Sequence, residues 1–295
     1  MNILYEHTVE QVVDSVRLND YLVEVLQEFI PSRKGIKKAI KREQILVNGA
    51  PTSPANFVEP GMVIQLVASE KFLPKPFELD LTIHYEDDEL AVVYKPAGIP
   101  VSGNEYRTIQ NALLYNLKPS VSKQALSFPK PVHRLDAATQ GLLLIAKTYS
   151  AIEALGAQFQ KKEISKTYHA LVLGRAPKSG VMNDSIGGKD AETVFQCVRT
   201  IPSVRHGWFS LLSLLPKTGR THQLRIHCTK IGHPIVGDTL YGEDNTMFKG
   251  LFLCSSGLTF RHPMTDEEIV IKTPIPHKFT YRMDNEEQMW DKKFE

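Results

Sequence analysis

The chain has little cysteine, little net charge and no apolar run long enough to cross a membrane. Cys197, Cys228 and Cys254 are far apart and odd in number. They form no disulfide framework, and no two stand at zinc-ligand spacing. A reduced, cytoplasmic setting is expected. The 35 Lys and Arg nearly cancel the 33 Asp and Glu, leaving a formal net charge of +2. That excludes a uniformly basic, histone-like mode of binding but leaves room for a local basic patch. The apolar run at 141–146 is far too short to span a bilayer, so no membrane partner is expected. Residues 1–7 lack the basic region and apolar core of a signal peptide. Internal repeats and low-complexity tracts are absent as well. What remains is an ordinary globular composition, 42% hydrophobic and 23% charged, in 295 residues. That length suffices for two domains.

Residues 14–70 read as a small α/β unit. Leu18, Tyr21, Leu22, Val25, Leu26 and Phe29 recur at helical spacing. Pro31 breaks that helix, and Ser32 is the expected N-cap of the next, which carries Ile36 and Ile40 on one face. Strands are expected at 45–47 and 63–67, with Asn48-Gly49 as a hairpin turn. Pro74 and Pro76 make the following segment an extended linker. The expected division is therefore a small N-terminal domain over 1–71, a linker over 72–78 and a large domain over 79–295. In the large domain a hairpin is expected from 81–85 and 90–94, with further strands at 141–147, 168–173, 193–200, 208–215 and 251–260. Helices are expected at 109–117, 151–160 and 221–230. Many strands with few helices between them argue against a doubly wound parallel sheet. The expected fold class is α+β, with a mixed, mainly antiparallel central sheet flanked by helices.

Five constellations carry chemistry. Arg33, Lys34, Lys37, Lys38, Lys41 and Arg42 crowd one helix with no acid among them. Most charge runs are simply solvated faces, but a single-sign face beside a strand–turn–strand suits an RNA backbone. Lys95-Pro96-Ala97-Gly98 ends a strand, which by itself is only a turn with a lysine. His133-Arg134-Leu135-Asp136 places a carboxylate and a guanidinium at the mouth of an apolar strand. The bland alternative is a turn-capping Asp; the functional one is a nucleophile or general base. No second carboxylate lies within several residues of Asp136, which disfavours ordinary glycoside hydrolysis. Tyr168, in Lys166-Thr167-Tyr168, is either core or a platform for a nucleobase. The stretch 219–242 is dense in Gly, His and Arg. On a helix His222 and Arg225 would share a face. His222 and His227 are five apart, poor spacing for two ligands on one face, and no metal is expected.

In this order and spacing, the segments resemble the RluA family of RNA pseudouridine synthases over about residues 77–280. The resemblance rests on Lys95-Pro96-Ala97-Gly98, the His-Arg-Leu-Asp signature with Thr139 and Gly141-Leu142-Leu143, Lys166-x-Tyr168, and 218–227 with Arg225 and His227. The N-terminal part is similar to the small RNA-binding domain of the ribosomal-protein S-four type, through Arg17-Leu18, the basic helix, Val47-Asn48-Gly49 and Gly61. The resemblance implies an isomerase that converts specific uridines in structured RNA to pseudouridine without cofactor. It implies that Asp136 attacks or deprotonates the ribose while the base detaches, turns and rejoins through carbon 5. Arg225 becomes its ion-pair partner. Tyr168 becomes the aromatic that stacks on the flipped uracil and helps remove the carbon-5 proton. Arg134 fills the gap left in the RNA, with Lys95 at the edge of the cleft. Lys95, His133, Arg220, His222 and the basic helix (Arg33, Lys34, Lys37, Lys38, Lys41) are expected to contact RNA. In the family Ser is common where Gln140 stands, Asn where Tyr94 stands and His where Cys254 stands. Ribosomal RNA is the favoured partner, with transfer RNA the alternative, and a monomer is expected. Two competing readings are a non-catalytic RNA-binding factor and a hydrolase that releases uracil.

Overall fold

The computed structural model describes residues 2–12, 15–27, 29–30, 32–68, 74–242 and 248–294. The first core is built by β1 (Asn2–Thr8), α1 (Leu18–Val25), α2 (Arg33–Lys41), β2 (Ile45–Val47), β3 (Ala50–Pro51) and β4 (Val63–Ala68). Their sheet runs β1-β4-β2-β3, antiparallel throughout. Leu18, Leu22, Leu26, Ile36, Ile40 and Ile45 meet Ile64 and Leu66 beneath it. Asn48 and Gly49 both have positive φ, 51° and 76°, as the two-residue hairpin requires. The Ser32 hydroxyl accepts from the Gly35 amide at 3.1 Å, capping α2. Strand β1 is not apparent from sequence because it lies at the sheet edge with Tyr5, Glu6 and His7 in its middle. Residues 72–73 of the expected linker lie outside the described residues; 74–78 carry no helix or strand.

The larger sheet takes β5 (Thr82–Glu86), β6 (Leu90–Lys95), β7 (Ala125–Pro131), β8 (Gln140–Thr148), β9 (Ser165–Leu173), β10 (Ser179–Met182), β11 (Thr193–Ser203), β12 (Gly207–Pro216), β13 (Leu253–Arg261) and β14 (Glu268–Lys272). The path is β10-β11-β12-β9-β13-β8-β6-β5, with β14 on β13 and β7 on β8. Helices α3 (Ile109–Asn116), α4 (Tyr149–Gln160), α5 (Gln223–Lys230) and α6 (His277–Phe294) complete the mixed α+β fold. Strand β8 is apolar on both faces because both are covered. Leu143 and Ile145 join the core that includes Ile109 and Leu113 of α3. Leu142, Leu144 and Ala146 join Ala151 and Leu155 of α4 on the other side. Thr108 and Thr148 cap those helices.

The two antiparallel halves of this sheet meet at β8 and β13, the one parallel pair among the described strands. The contact is short, Cys254 opposite Gln140 and Ser255 opposite Gly141. The loop that carries Asp136 leads directly into the start of β8 at this contact. Strands β7, β10 and β14 and helix α6 carry weak sequence patterns and are not among the expected elements. Helix α6 is polar over most of its surface and buries only Phe279, Met283 and Glu286.

Candidate active site

Asp136 sits in a turn that other residues hold from below. The Thr139 amide donates to the Asp136 carbonyl at 3.0 Å, and the Gly98 amide to the Ala137 carbonyl at 2.7 Å. Lys95, at the end of β6, donates from Nζ to the carbonyls of Pro96 (2.9 Å), Ala137 (2.9 Å) and Thr139 (2.7 Å). The Lys-Pro-Ala-Gly turn and the Asp136 loop are therefore one hydrogen-bonded unit. Lys95 is wholly buried, which corrects its expected place among the RNA contacts: an ammonium with three carbonyl acceptors and no exposed surface cannot meet a phosphate. Burial pulls its pKa from the ordinary 10.5 to about 8, against the opposing charge of Asp136. Gly141 follows at φ +119°, where a Cβ would stand 2.2 Å from the Ser255 carbonyl oxygen. Only glycine lets β8 and β13 approach so closely.

The Asp136 carboxylate is one-fifth exposed and has a guanidinium and an imidazole beside it. Arg225 Nη1 lies 3.8 Å from Oδ2, and His222 Nε2 lies 3.8 Å from Oδ1. The two do not share a helical face as expected. His222 is the N-cap residue of α5, at φ +55° and ψ +21°, and the helix begins after it. The left-handed backbone at that position lets His222 and Arg225 approach the two oxygens separately. Arg225 is itself fixed from behind. Its Nε and Nη2 donate to the two oxygens of Asp238 at 2.8 and 2.7 Å, a bidentate fork. The Tyr241 ring covers the guanidinium at 5.1 Å, and the Tyr241 hydroxyl pairs with His222 Nδ1 at 3.0 Å. Burial pushes the Asp238 carboxyl up, but hydrogen bonds from Arg225, Leu240 and Tyr241 outweigh it and hold it below the usual range. The hydrogen bond to Asp238 in turn raises Arg225. Sequence reasoning assigns no role to Asp238 or Tyr241. Their only signal is their place in the Gly- and His-rich stretch.

A cavity of about 320 Å³ opens over Asp136. Among the described residues Asp136 is the only acid that lines it; Arg134, Phe159, Lys166, Tyr168, Arg220, His222 and Leu224 stand around it. Arg134 is exposed at the mouth. Tyr168 presents little surface, and burial is the main cause that pushes its phenol up to about 12. It pairs in register with Ser255 of β13, whose side chain is buried. His133 forms part of the wall, but its Nε2 accepts from the Leu144 amide at 3.0 Å. Burial and the neighbouring Lys166 charge pull His133 down to about 3, so its ring is neutral. Arg220 is exposed, with Nε on the Asp190 carbonyl at 2.9 Å.

The basic helix has Ile36, Ala39 and Ile40 inward, so Arg33, Lys34, Lys37, Lys38 and Lys41 all face solvent. Arg33 meets an acid that its own helix lacks, Asp20 of α1, at 3.3 Å. His227 points away from His222: its two nitrogens lie 3.0 Å from Thr193 Oγ1 and the Asp184 carbonyl. No cluster of His, Cys, Asp and Glu that could hold a metal occurs among the described residues. No helix among them is long and apolar enough to cross a membrane.

Residues 89–230 match the sequence profile of a family described as RNA pseudouridylate synthase. An uncharacterized RNA pseudouridine synthase of Aquifex aeolicus is 32% identical, over 89% of this chain and 91% of its own. The ribosomal large subunit pseudouridine synthase D of Vibrio cholerae is 31% identical, over 88% of each chain. Among solved structures, human RNA pseudouridylate synthase domain containing 1 superposes with a TM-score of 0.55 at 25% identity. That match covers 66% of this chain and 83% of the human one.

Proposed function

The chain belongs to the RNA pseudouridine synthase family, whose members isomerise uridine to pseudouridine, and from that premise we propose that it modifies large-subunit ribosomal RNA, with Asp136 as the catalytic carboxylate. One observation carries the assignment. Among the described residues Asp136 is the single acid on the cavity wall, open toward it, with Arg225 and His222 near its two oxygens. The other nearby acid, Asp238, is fully buried and fully engaged by Arg225. The ribosomal substrate is supported by the names of relatives such as the Vibrio cholerae enzyme.

In this reading the target uridine leaves the RNA stack at a cost of about a few kcal/mol. Arg134, exposed at the mouth, takes its place. Asp136 acts on the ribose, and the bond from carbon 1′ to nitrogen 1 breaks. The uracil turns within the cavity against the Tyr168 ring and rejoins through carbon 5. The carbon-5 proton then leaves, and nitrogen 1 ends protonated, so atoms balance without an outside reactant. Tyr168 holds its own proton at neutral pH because its pKa lies far above it. Its first service is therefore a ring surface. Loss of the carbon-5 proton restores conjugation in the base, so a weak base suffices. The lysines of α2 serve the RNA backbone at a distance from the chemistry.

Asp136→Asn is expected to abolish pseudouridine formation in unmodified large-subunit ribosomal RNA while leaving its binding intact. Pseudouridine produced by the purified Asn variant would end the assignment.

A further inference from the structure

A second cavity, of about 410 Å³, adjoins the first and shares Phe159, Lys166, Pro216, Thr218, Gly219 and Arg220 with it. That size lies within the usual range of small-ligand sites. We propose that this cavity is a subsite for the nucleotide next to the target uridine, with the phosphate among Lys162, Lys166, Lys217 and Arg220 and the base against Phe159 and Leu215. The proposal rests on the reading of the first cavity as the uridine pocket.

Among the described residues four cations line this cavity and no acid does. None of the four has an ion-pair partner among the described residues, although Arg220 spends one donor on the Asp190 carbonyl. Like charges gathered without a counter-charge repel one another, and a phosphate group relieves that repulsion. Lys166 borders both cavities, with Nζ 5.9 Å from the centre of the Phe159 ring. It therefore stands where a phosphate linking the two nucleotides would pass. Lys162 is held at φ +61°, an uncommon backbone state for a lysine, in the turn after α4. Phe159, Ile164, Leu215 and Pro216 give the cavity an apolar wall, beside the polar Gln160, Ser165 and Thr218. Leu215 is 36% exposed at the end of β12, an apolar contact waiting beside a charged site. Charge for a phosphate with a flat apolar surface for a base is the chemistry of a nucleotide site.

The test uses the full chain and unmodified large-subunit ribosomal RNA transcribed in vitro. Lys162 and Lys217 are exposed, so Lys162→Glu with Lys217→Glu leaves the fold intact, which a thermal melt verifies. The expected result is an affinity about tenfold weaker at moderate salt and a salt slope flatter by about 0.7 for each phosphate no longer neutralised. The fall in pseudouridine formation should be larger at subsaturating than at saturating RNA, and Lys162→Arg with Lys217→Arg should restore both readouts. An unchanged slope would overturn the proposal. So would an equal effect from Lys292→Glu with Lys293→Glu on α6, which would mark a general field. If the wild-type protein binds this RNA but modifies none of it, the ribosomal reading fails, while the slope comparison still decides the subsite.

Discussion

Replacing Lys95 by Met removes the ammonium beneath the Asp136 loop and keeps most of the side-chain volume. Three carbonyls then lose a charged donor, those of Pro96, Ala137 and Thr139. Hydrogen bonds to charged groups contribute about 1.5–3 kcal/mol each. Against this stands the cost of burying the charge: a pKa drawn from 10.5 to about 8 corresponds to about 3 kcal/mol. The expected net destabilisation is about 2–6 kcal/mol, read from urea unfolding. Activity should fall further than stability alone explains, because two of the three carbonyls belong to the loop that aims Asp136. The pH dependence gives a second signature. Lys95 has a lower pKa folded than unfolded, so between about 8 and 10.5 the unfolded chain binds more protons. The contribution of this group to stability therefore rises with pH across that window and is lost as pH falls through 8. The same deprotonation takes one donor from the loop. Single-turnover pseudouridine formation should decline above about pH 8 while stability does not, and Lys95→Met should lack that alkaline limb. A Met variant as stable and as active as the wild type would refute the reasoning.

Asp238→Asn should cost about 3–5 kcal/mol in unfolding experiments, since it leaves the buried Arg225 guanidinium with the longer contact to Asp136 as its remaining ion pair among the described residues; a cost below about 1 kcal/mol would show that Asp136 takes over the pairing. Gly141→Ala drives a Cβ into the Ser255 backbone at a positive φ and should destabilise by more than about 2 kcal/mol, with slow proteolysis at native temperature as the contrary result. Replacing Lys34, Lys38 and Lys41 together by Ala should weaken RNA binding and flatten its salt dependence; an unaltered slope would mean that this face only meets solvent.

Much of this molecule is legible in residue order. The 3.6-residue spacing in α1 and α2, the Ser32 cap and the Asn48-Gly49 turn depend on neighbours a few positions away, and all three appear in the structure. The start of α5 differs from expectation because nothing local announces that His222 adopts the left-handed conformation. Strand β7 is hidden in the sequence because Pro129 and Pro131 argue against a strand, yet it pairs only with β8. Three departures from the family pattern turn out to be one local change. Tyr94 donates to Gln140 Oε1 at 3.2 Å and lies 3.8 Å from Cys254 Sγ, so the three residues fill one space between β6, β8 and β13.

The residue types of the site, a lone carboxylate just before an apolar strand, an aromatic two residues after Lys166 and an arginine in a Gly- and His-rich stretch, are written in the sequence and lead to the family. Which of them face the cavity is decided by tertiary structure alone. Lys95 and Arg134 look equally available in one dimension. The first is locked under the loop by three carbonyls and the second stands open at the mouth, because β6 ends directly below the turn that Asp136 begins. Asp136 and Asp238 are likewise both carboxylates in loops near a strand or helix end. Only the bidentate grip of Arg225 on Asp238 separates a buried support from a group left free to act. Periodicity and turn chemistry operate over a few bonds and can be read in order. Two of the carbonyls that hold the buried Lys95 ammonium stand 42 and 44 positions away, and only folding brings them there.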